Sequence, residues 1–265
     1  MRLMSIASGS SGNCIYIGND NTHILIDTGI SKKRVEEGLK QLDLSPSDLN
    51  GIFITHEHSD HISGLGVLSR KYNVPVYSTR ETIEAIKSYQ NIGKIDEDLF
   101  VEVEPDCNVI INNLTVRPFS ISHDAANPVG YRVEDENSSA AVATDMGTYN
   151  DYIVENLSGL NGLVLEANHD IRMLQTGTYP YYLKQRILGN KGHLCNEMAG
   201  RLLDIILNEN MKKVFLGHLS KENNYEELAY ESVRLEINLS ESRYRADDFD
   251  IAVAKRDVPS GVVEI

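Results

Sequence analysis

The residues best suited to chemistry lie in one short segment, residues 56–61, which reads His-Glu-His-Ser-Asp-His. The segment contains four side chains of types that bind metal ions: His56, His58, Asp60 and His61. It follows the apolar run at residues 51–55, which predicts a strand. Because alternate residues of a strand share a face, we expect His56 and His58 to point to one place and Asp60 and His61 to a second. Two such points suit two divalent ions such as zinc or manganese, whereas the alternative is a merely polar surface loop.

Other apolar runs also end on residues that bind metals or protons. Predicted strands near residues 23–26, 119–122, 141–144, 163–165 and 213–217 are followed by Asp27, His123, Asp145, Glu166 and His218. Strands that end in such residues imply a common sheet edge with a shared site. Asp27 has a second interpretation, because a carboxylate there could cap the helix predicted to begin near Ser31.

The elements around these runs predict the fold class. Strands and helices alternate up to residue 89, with helices expected at 65–72 and 80–89, and the segment from residue 101 reads as an antiparallel sheet. Residues 171–193 read as a long irregular stretch, followed by helices near 196–208 and 225–237 and a closing strand at 251–254. The pattern predicts an α/β protein, and 265 residues without a linker fit one domain over 1–265.

The bulk composition limits the environment and the partners. With 25 Lys and Arg against 39 Asp and Glu, the formal charge is 25 − 39 = −14, which opposes indiscriminate binding to nucleic acid or anionic lipid. A polyanionic substrate would therefore need local positive charge. Three cysteines without a CxxC pair indicate no disulfide framework, and no segment is a signal peptide or a membrane span. We expect a cytoplasmic protein that does not enter a membrane.

The order of these motifs resembles the metallo-beta-lactamase superfamily, whose pattern is Asp, HxHxDH, His, Asp and His. This resemblance implies an αββα four-layer sandwich with a two-metal site where the sheets meet. Carried over by position, His56, His58 and His123 would bind one divalent ion (zinc or manganese, with iron as a third option). Asp60, His61 and His218 would bind the other, and Asp145 would bridge them. A hydroxide between the ions would be the nucleophile, and Asp27 would orient a ligand histidine.

Two further residues resemble the ribonuclease Z branch of this superfamily. His193 stands before a predicted helix, and Glu166 stands in a strand-end segment upstream of it. The resemblance implies that His193, oriented by a carboxylate, protonates the leaving oxygen of a phosphodiester; Glu166, His193 and Asp60 are therefore the candidate catalytic residues. The alternative is that His193 only caps the following helix.

Two loops are candidates for contact with the substrate. The turn at residues 8–13 presents Ser10, Ser11 and Asn13, which suit either a structural turn or a phosphate contact. Residues 171–193 contain four Lys and Arg, no Asp or Glu, and an aromatic cluster, from which Lys184, Arg186 and Tyr181 are the candidates. Interleaved basic and aromatic residues suit phosphates and stacked bases, whereas a solvated loop is the alternative. His169 and Asp170 are expected to form a hydrogen-bonded pair rather than a metal site.

The full set of motifs resembles the WalJ (YycJ-type) branch. This resemblance implies a cytoplasmic exonuclease that acts on DNA from 5′ ends, with nucleic acid as the partner and DNA favoured over RNA. Residues 145–218 are too few to contain the β-CASP domain of the large processing nucleases. Two alternatives stay open: a hydrolase of small cyclic phosphodiesters or thioesters, and a non-catalytic scaffold for nucleic-acid processing.

Overall fold

Two seven-stranded sheets form the centre of the computed structural model, which describes residues 1–265. The first sheet contains β1 (Arg2–Ala7), β2 (Cys14–Gly18), β3 (His23–Ile26), β4 (Gly51–Phe53), β5 (Val76–Ser78) and β6 (Phe100–Glu102). The second contains β7 (Val109–Ile111), β8 (Leu114–Ser120), β9 (Val129–Glu134), β10 (Ser139–Ala143), β11 (Gly162–Glu166), β12 (Lys213–Gly217) and β13 (Ile251–Val253). The terminal strand β14 (Val263–Glu264) returns to pair with β1 in the first sheet.

Both sheets are mixed. In the first, β1, β2 and β3 are antiparallel and β3 to β6 are parallel. In the second, β7 to β10 are antiparallel, as predicted, and β10 to β13 are parallel. Parallel neighbours end at the same edge, so the residues that follow β3 and β4, and those that follow β10, β11 and β12, are brought together in two sets.

Nine helices accompany the sheets: α1 (Lys32–Leu39), α2 (Ser59–Ile62), α3 (Leu65–Tyr72), α4 (Arg80–Ser88), α5 (Asp151–Leu157), α6 (Ile171–Thr176), α7 (Tyr181–Leu188), α8 (Asn196–Ile206) and α9 (Glu226–Leu239). Three hydrophobic clusters show how they pack. One joins the first sheet to α1, α3 and α4, one lies between the sheets, and one joins the second sheet to α5, α8 and α9. These clusters are the three interfaces of an αββα sandwich, so the predicted fold class is confirmed.

The cluster between the sheets fixes the strand that carries the histidine motif. Phe53 stacks on Tyr77 with ring centroids 4.5 Å apart and meets the edge of Tyr131 at 5.3 Å. Burial of each such ring contributes about 2–3 kcal/mol. The Tyr131 hydroxyl donates to the Ile54 carbonyl at 2.8 Å, two residues before His56. Because this core is shared by both sheets, we propose that residues 1–265 form a single domain.

The prediction of an irregular stretch over residues 171–193 is wrong, since it contains α6 and α7. The side chain of Asp170 accepts a hydrogen bond from the Met173 amide at 2.7 Å and so caps α6. Pro180 precedes the first residue of α7, where a missing N–H costs nothing. Both helices are short and α7 has no buried residue, which explains why the apolar periodicity was too weak to predict them.

None of the nine helices combines the length and the apolar composition that crossing a bilayer requires.

Candidate metal centre

The candidate ligands meet where the two sheets adjoin. Residues 56–61 follow β4 of the first sheet, while His123, Asp145 and His218 follow β8, β10 and β12 of the second. The motif loop packs closely against the segment after β3, where a Cβ on Gly29 would lie only 1.6 Å from the Asp60 carbonyl oxygen. Only glycine allows this approach, so the sequence after Asp27 is part of what shapes the motif.

Three histidines form the first group. The Nε2 atom of His56 lies 3.0 Å from Nδ1 of His58, which lies 3.2 Å from Nε2 of His123. Burial, followed by the nearby His61, holds the pKa of His56 well below its ordinary value. Neutral imidazoles with converging nitrogen atoms form the kind of site that binds a divalent ion.

Asp60, His61 and His218 form the second group. The Oδ2 atom of Asp60 lies 3.5 Å from Nε2 of His61 and 3.3 Å from Nε2 of His218. Asp145 lies between the groups, with Oδ2 at 3.3 Å from His61 Nε2 and Oδ1 at 3.7 Å from His123 Nε2. The structure therefore brings together all seven residues that the sequence predicts as metal ligands.

The hydrogen bonds of the Nδ1 atoms, which face away from the cluster in three of the histidines, test whether these residues fit a metal ion. Nδ1 of His61 lies 2.8 Å from Asp27, and Nδ1 of His218 lies 2.9 Å from Glu166. Nδ1 of His123 lies 3.1 Å from the Gly192 carbonyl oxygen. An acceptor at Nδ1 keeps the proton there and leaves Nε2 free as a metal ligand. In addition, Oδ2 of Asp145 is buried without a hydrogen-bond partner. The donor set therefore fits divalent metal ions.

The charges in the cluster agree with this fit. Burial lowers the pKa of His218, but Asp145, Asp60 and Glu166 outweigh it and raise the pKa to about 10. The same opposition, with Asp27 as the largest charge, raises the pKa of His61 well above its ordinary value. The buried carboxylates therefore favour positive charge among these imidazoles, either as bound protons or as a bound cation.

Three strand ends adopt an uncommon backbone conformation at this site. Asp27, Asp145 and His218 have φ angles of 60°, 61° and 55°. A left-handed conformation outside glycine costs on the order of 1 kcal/mol and clusters at functional sites. In this conformation the backbone turns away from the strand immediately after the residue whose side chain enters the cluster.

Glu166 connects the second group to His193. Its Oε1 atom accepts from Nδ1 of His193 at 2.8 Å and from Nδ1 of His218, while Oε2 accepts from the amides of Met146 and Leu194 at 2.8 and 3.0 Å. The side chain of His193 is 20% exposed and that of Glu166 is fully buried. Burial lowers the pKa of His193, but Glu166 outweighs it and raises that pKa. His193 is not the cap of α8, since that position is Cys195.

A cleft of about 460 Å³ opens onto the cluster. It is lined by Asp60, Asp145, His193 and His218 of the cluster and its surroundings, and also by Tyr89, Tyr179 and Arg186. Tyr89 was missed in the sequence because it comes from a distant helix end and carries no local signal. Tyr179 belongs to the aromatic cluster that the sequence indicated, although Tyr181 was the residue chosen there.

The candidate substrate contacts divide into two sets. Ser10 and Arg186 line the cleft, and Arg186 forms a two-point ion pair with Asp124. Four others do not line the cleft: Ser11 is exposed, Tyr181 is 77% exposed, Lys184 is half-buried and Asn13 is buried.

Two of these placements have clear causes. The Oδ1 atom of Asn13 accepts from the Gly9 amide at 2.9 Å and its Nδ2 atom lies 3.2 Å from Nε2 of His61, so Asn13 connects its loop to the metal cluster. The Lys184 ammonium group donates to the carbonyls of Gln175 and Gly177 at 2.8 and 2.7 Å, where it stabilises the end of α6.

His169 and Asp170 lie outside the candidate ligand groups. His169 is buried, with Nδ1 at 3.3 Å from the Asn168 side-chain oxygen, and Asp170 caps α6. The two side chains therefore act separately and do not form the hydrogen-bonded pair that the sequence predicted. Asn168 itself was missed, although it donates to the His218 carbonyl at 2.8 Å and lines the cleft.

Comparison with known proteins agrees with this geometry. Residues 22–214 match the model of the beta-lactamase superfamily domain. The chain belongs to the metallo-beta-lactamase superfamily. It is 42% identical over 229 residues to the exodeoxyribonuclease YycJ of Bacillus anthracis, covering 86% of each chain. It is 40% identical over 225 residues to the exodeoxyribonuclease WalJ of Streptococcus pneumoniae strain D39, covering 85% of this chain and 84% of the relative. The resemblance to this superfamily and to its WalJ branch is confirmed.

A solved structure extends the comparison to the fold. Zn(2+)-bound PqqB from Methylobacterium extorquens superposes with a TM-score of 0.73 at 14% identity, covering 100% of both chains. At that identity the likeness concerns the architecture alone. The two exodeoxyribonuclease relatives are hydrolases, which supports a hydrolase here, and the grouped His and Asp side chains of this chain fit divalent metal ions.

Proposed function

We propose that this protein is a metal-dependent exonuclease that cleaves DNA from 5′ ends. The observation that carries the proposal is the seven-residue cluster beside an open cleft, in a chain that is 42% and 40% identical to two exodeoxyribonucleases over 229 and 225 aligned residues. A degenerate scaffold would be expected to have lost part of this cluster, and all seven side chains are present.

We further propose that the cluster holds two divalent ions, zinc or manganese. His56, His58 and His123 would hold one, Asp60, His61 and His218 the other, and Asp145 would contact both. When bound, such ions lower the pKa of a water molecule and neutralise the charge that develops on a phosphate oxygen. Asp27, Glu166 and the Gly192 carbonyl oxygen keep the Nδ1 protons in place, so three of the ligand rings are oriented before any ion arrives.

His193 would deliver the proton that the leaving oxygen needs. Glu166 accepts from its Nδ1 atom, which orients the ring, raises its pKa and leaves Nε2 as the atom available to the substrate. The position at the cleft wall gives the ring access to a leaving group, because His193 is the partly exposed member of the pair. Loss of a general acid typically slows turnover about 10²- to 10⁴-fold.

The cleft residues outside the metal cluster would contact the nucleic acid. Arg186 offers a planar cation for a phosphate, and its ion pair with Asp124 is half-exposed and exchangeable. Tyr89 and Tyr179 offer rings on which bases can stack. This local arrangement supplies the positive and aromatic contacts that the net charge of −14 makes necessary.

A direct assay tests the proposal. Single- and double-stranded DNA and RNA, labelled at either the 5′ or the 3′ end, are incubated with the protein across zinc, manganese and magnesium. We expect DNA to be shortened progressively from its 5′ end in one or more of these ions. Hydrolysis of a small phosphodiester or thioester at an equal or higher rate, without a preference for DNA, would instead indicate a small-molecule hydrolase.

A further inference from the structure

A second pocket of about 280 Å³ adjoins the cleft, and we call it the flanking pocket. Ser220 lines both spaces, so the two are neighbours. The flanking pocket is also lined by Ser8, Lys221 and Arg256, and by Glu226 and Glu227. None of these residues belongs to the candidate metal cluster.

Arg256 crosses the boundary between the pocket and the cleft. Its Nη2 atom donates to the Leu219 carbonyl oxygen at 2.6 Å, and its Nη1 atom lies 3.5 Å from the hydroxyl oxygen of Ser10, which lines the cleft. The guanidinium group lies directly over Gly9, where a Cβ would be 2.6 Å from Nη1. Gly9 also has a φ of 151°, so both the conformation and the close approach favour glycine there.

The positive charge in the flanking pocket is only partly neutralised within the protein. The carboxylate beside Arg256 in sequence, Asp257, pairs with Arg34 at 3.7 Å, and Glu226 pairs with Lys255. Arg256 and Lys221 are left without an ion pair, opposed by Glu227 alone. In a chain with 14 more acidic than basic residues, two cations without an ion pair beside the cleft provide local positive charge.

The flanking pocket begins next to the candidate metal ligands. Leu219, which anchors Arg256, directly follows His218, and the His218 amide donates to the Ser8 hydroxyl at 2.8 Å. Ser220, two residues after His218, lines both the flanking pocket and the cleft, so the pocket lies beside the cluster. A phosphate next to the one being cleaved could therefore reach it.

We propose that the flanking pocket is a second anion subsite, which binds a phosphate group next to the scissile one through Arg256, Lys221 and the hydroxyl groups of Ser10 and Ser220. The proposal rests on the proposed nuclease function and adds to it the residues that hold the strand beyond the cleaved bond. The anion is either an internal phosphodiester or a terminal phosphate monoester. Both present the same oxygens to a guanidinium group.

Binding can be measured separately from cleavage. The full-length protein in zinc buffer is titrated against a 3′-labelled phosphorothioate oligodeoxynucleotide that resists hydrolysis, and anisotropy gives Kd at several salt concentrations. For Arg256→Gln we expect Kd to rise about tenfold, the effect of one lost charge-assisted hydrogen bond. The slope of log Kd against log salt should fall by about 0.7, as expected for one phosphate contact to a single strand. In the cleavage assay KM should rise while kcat is retained.

Matched variants distinguish this subsite from a general charge effect. Arg245→Gln is the control, because that guanidinium likewise forms no ion pair and donates to carbonyl oxygens, at 3.0 to 3.4 Å, but lies outside both pockets. It should leave Kd and slope unchanged. Lys221→Gln should weaken binding in the same direction as Arg256→Gln, and Glu227→Gln should tighten it. Lys221 is exposed and unpaired, so its variant tests the pocket even if Arg256→Gln unfolds.

The two sources of phosphate give different outcomes. If the effect of Arg256→Gln disappears when a 5′-phosphate is replaced by a 5′-hydroxyl, the subsite binds a terminal monoester; if the effect persists, it binds an internal diester. If the protein cleaves DNA but Arg256→Gln and Lys221→Gln both keep the wild-type Kd and salt slope, the subsite proposal is wrong. The nuclease proposal then still holds. A wild-type protein that neither binds nor cleaves DNA would overturn both.

Discussion

Replacing Glu166 by glutamine tests the relation between the metal cluster and the proton donor. The carboxylate accepts four hydrogen bonds, two at Oε1 from the Nδ1 atoms of His193 and His218 and two at Oε2 from the amides of Met146 and Leu194. Glutamine keeps the size of the side chain but replaces one acceptor by an NH₂ donor. Two of the four donors must therefore lose their acceptor.

The orientation of the glutamine side-chain amide follows from the free-energy cost of leaving each pair of donors without an acceptor. A buried backbone donor without an acceptor costs about 1–3 kcal/mol, and two of them lie on one side of Glu166. The carbonyl oxygen of Glu166→Gln should therefore face the amides, and its NH₂ group should face the two histidines. Each Nδ1 atom must then accept, which moves the proton of His218 to Nε2, the atom that faces Asp60. Loss of such a supporting contact lowers metal affinity about 10- to 100-fold, or about 1.4–2.7 kcal/mol.

The assay is a metal titration against a chromophoric chelator, combined with turnover of DNA. Glu166→Gln should lose both metal affinity and activity, whereas His193→Ala should keep metal affinity and lose activity about 10²- to 10⁴-fold. Thermal unfolding of both variants checks that they fold. Wild-type metal affinity in Glu166→Gln would refute the role of this carboxylate in fixing the proton of His218. A loss of affinity in His193→Ala equal to that in Glu166→Gln would make His193 a ligand rather than a proton donor.

Three further predictions, with four variants, test separate parts of the structure. Asp145→Ala should release both ions, because its carboxylate lies between the two ligand groups, and elemental analysis that still finds two ions per chain would contradict this. Arg186→Ala should weaken DNA binding and lower its salt slope by about 0.7, whereas Lys184→Ala should leave the slope unchanged, since that ammonium group is bound to carbonyl oxygens. Burial lowers the pKa of His169 from 6.5 to about 4, so the fold favours its neutral form and loses stability as the pH falls from 6.5 towards 4. The difference in unfolding free energy between wild type and His169→Asn should fall by about 2 kcal/mol between pH 7 and pH 5, and a constant difference in urea denaturation would refute it.

The positions of the candidate ligands could be predicted because strand ends are local features. A run of apolar residues that stops at a His, Asp or Glu is visible in the sequence, and parallel pairing brings such ends to one edge. The pattern after β10, β11 and β12 gave Asp145, Glu166 and His218 in this way. The strand-end pattern does not predict that residues 56–61, which follow a strand of the other sheet, reach the same point. That prediction came from the family resemblance.

The residues of the cleft walls could not be predicted in the same way. Their roles depend on which neighbour each charged side chain meets, and those neighbours are distant in sequence. Lys184 and Arg186 are equivalent by composition, yet one stabilises the end of α6 and the other faces the cleft. Arg256 lies 246 residues from the Ser10 hydroxyl that it approaches, and no spacing in the sequence relates the two. A short polar helix such as α7 escapes detection for a related reason, since it buries no residue that would leave a periodic signal.

The backbone at the strand ends shows why the cluster needs the whole sandwich. Asp27, Asp145 and His218 each adopt a left-handed conformation at a cost on the order of 1 kcal/mol, and His218 lacks the short side chain that makes this conformation tolerable for Asp. Such a conformation persists only where surrounding contacts fix it. For His218 these contacts are the Ser8 hydroxyl at its amide, the Asn168 side chain at its carbonyl and the Glu166 carboxylate at its ring. Two of the three come from neighbouring segments of the second sheet and one from the first, so the geometry of this candidate ligand depends on the packing of both sheets.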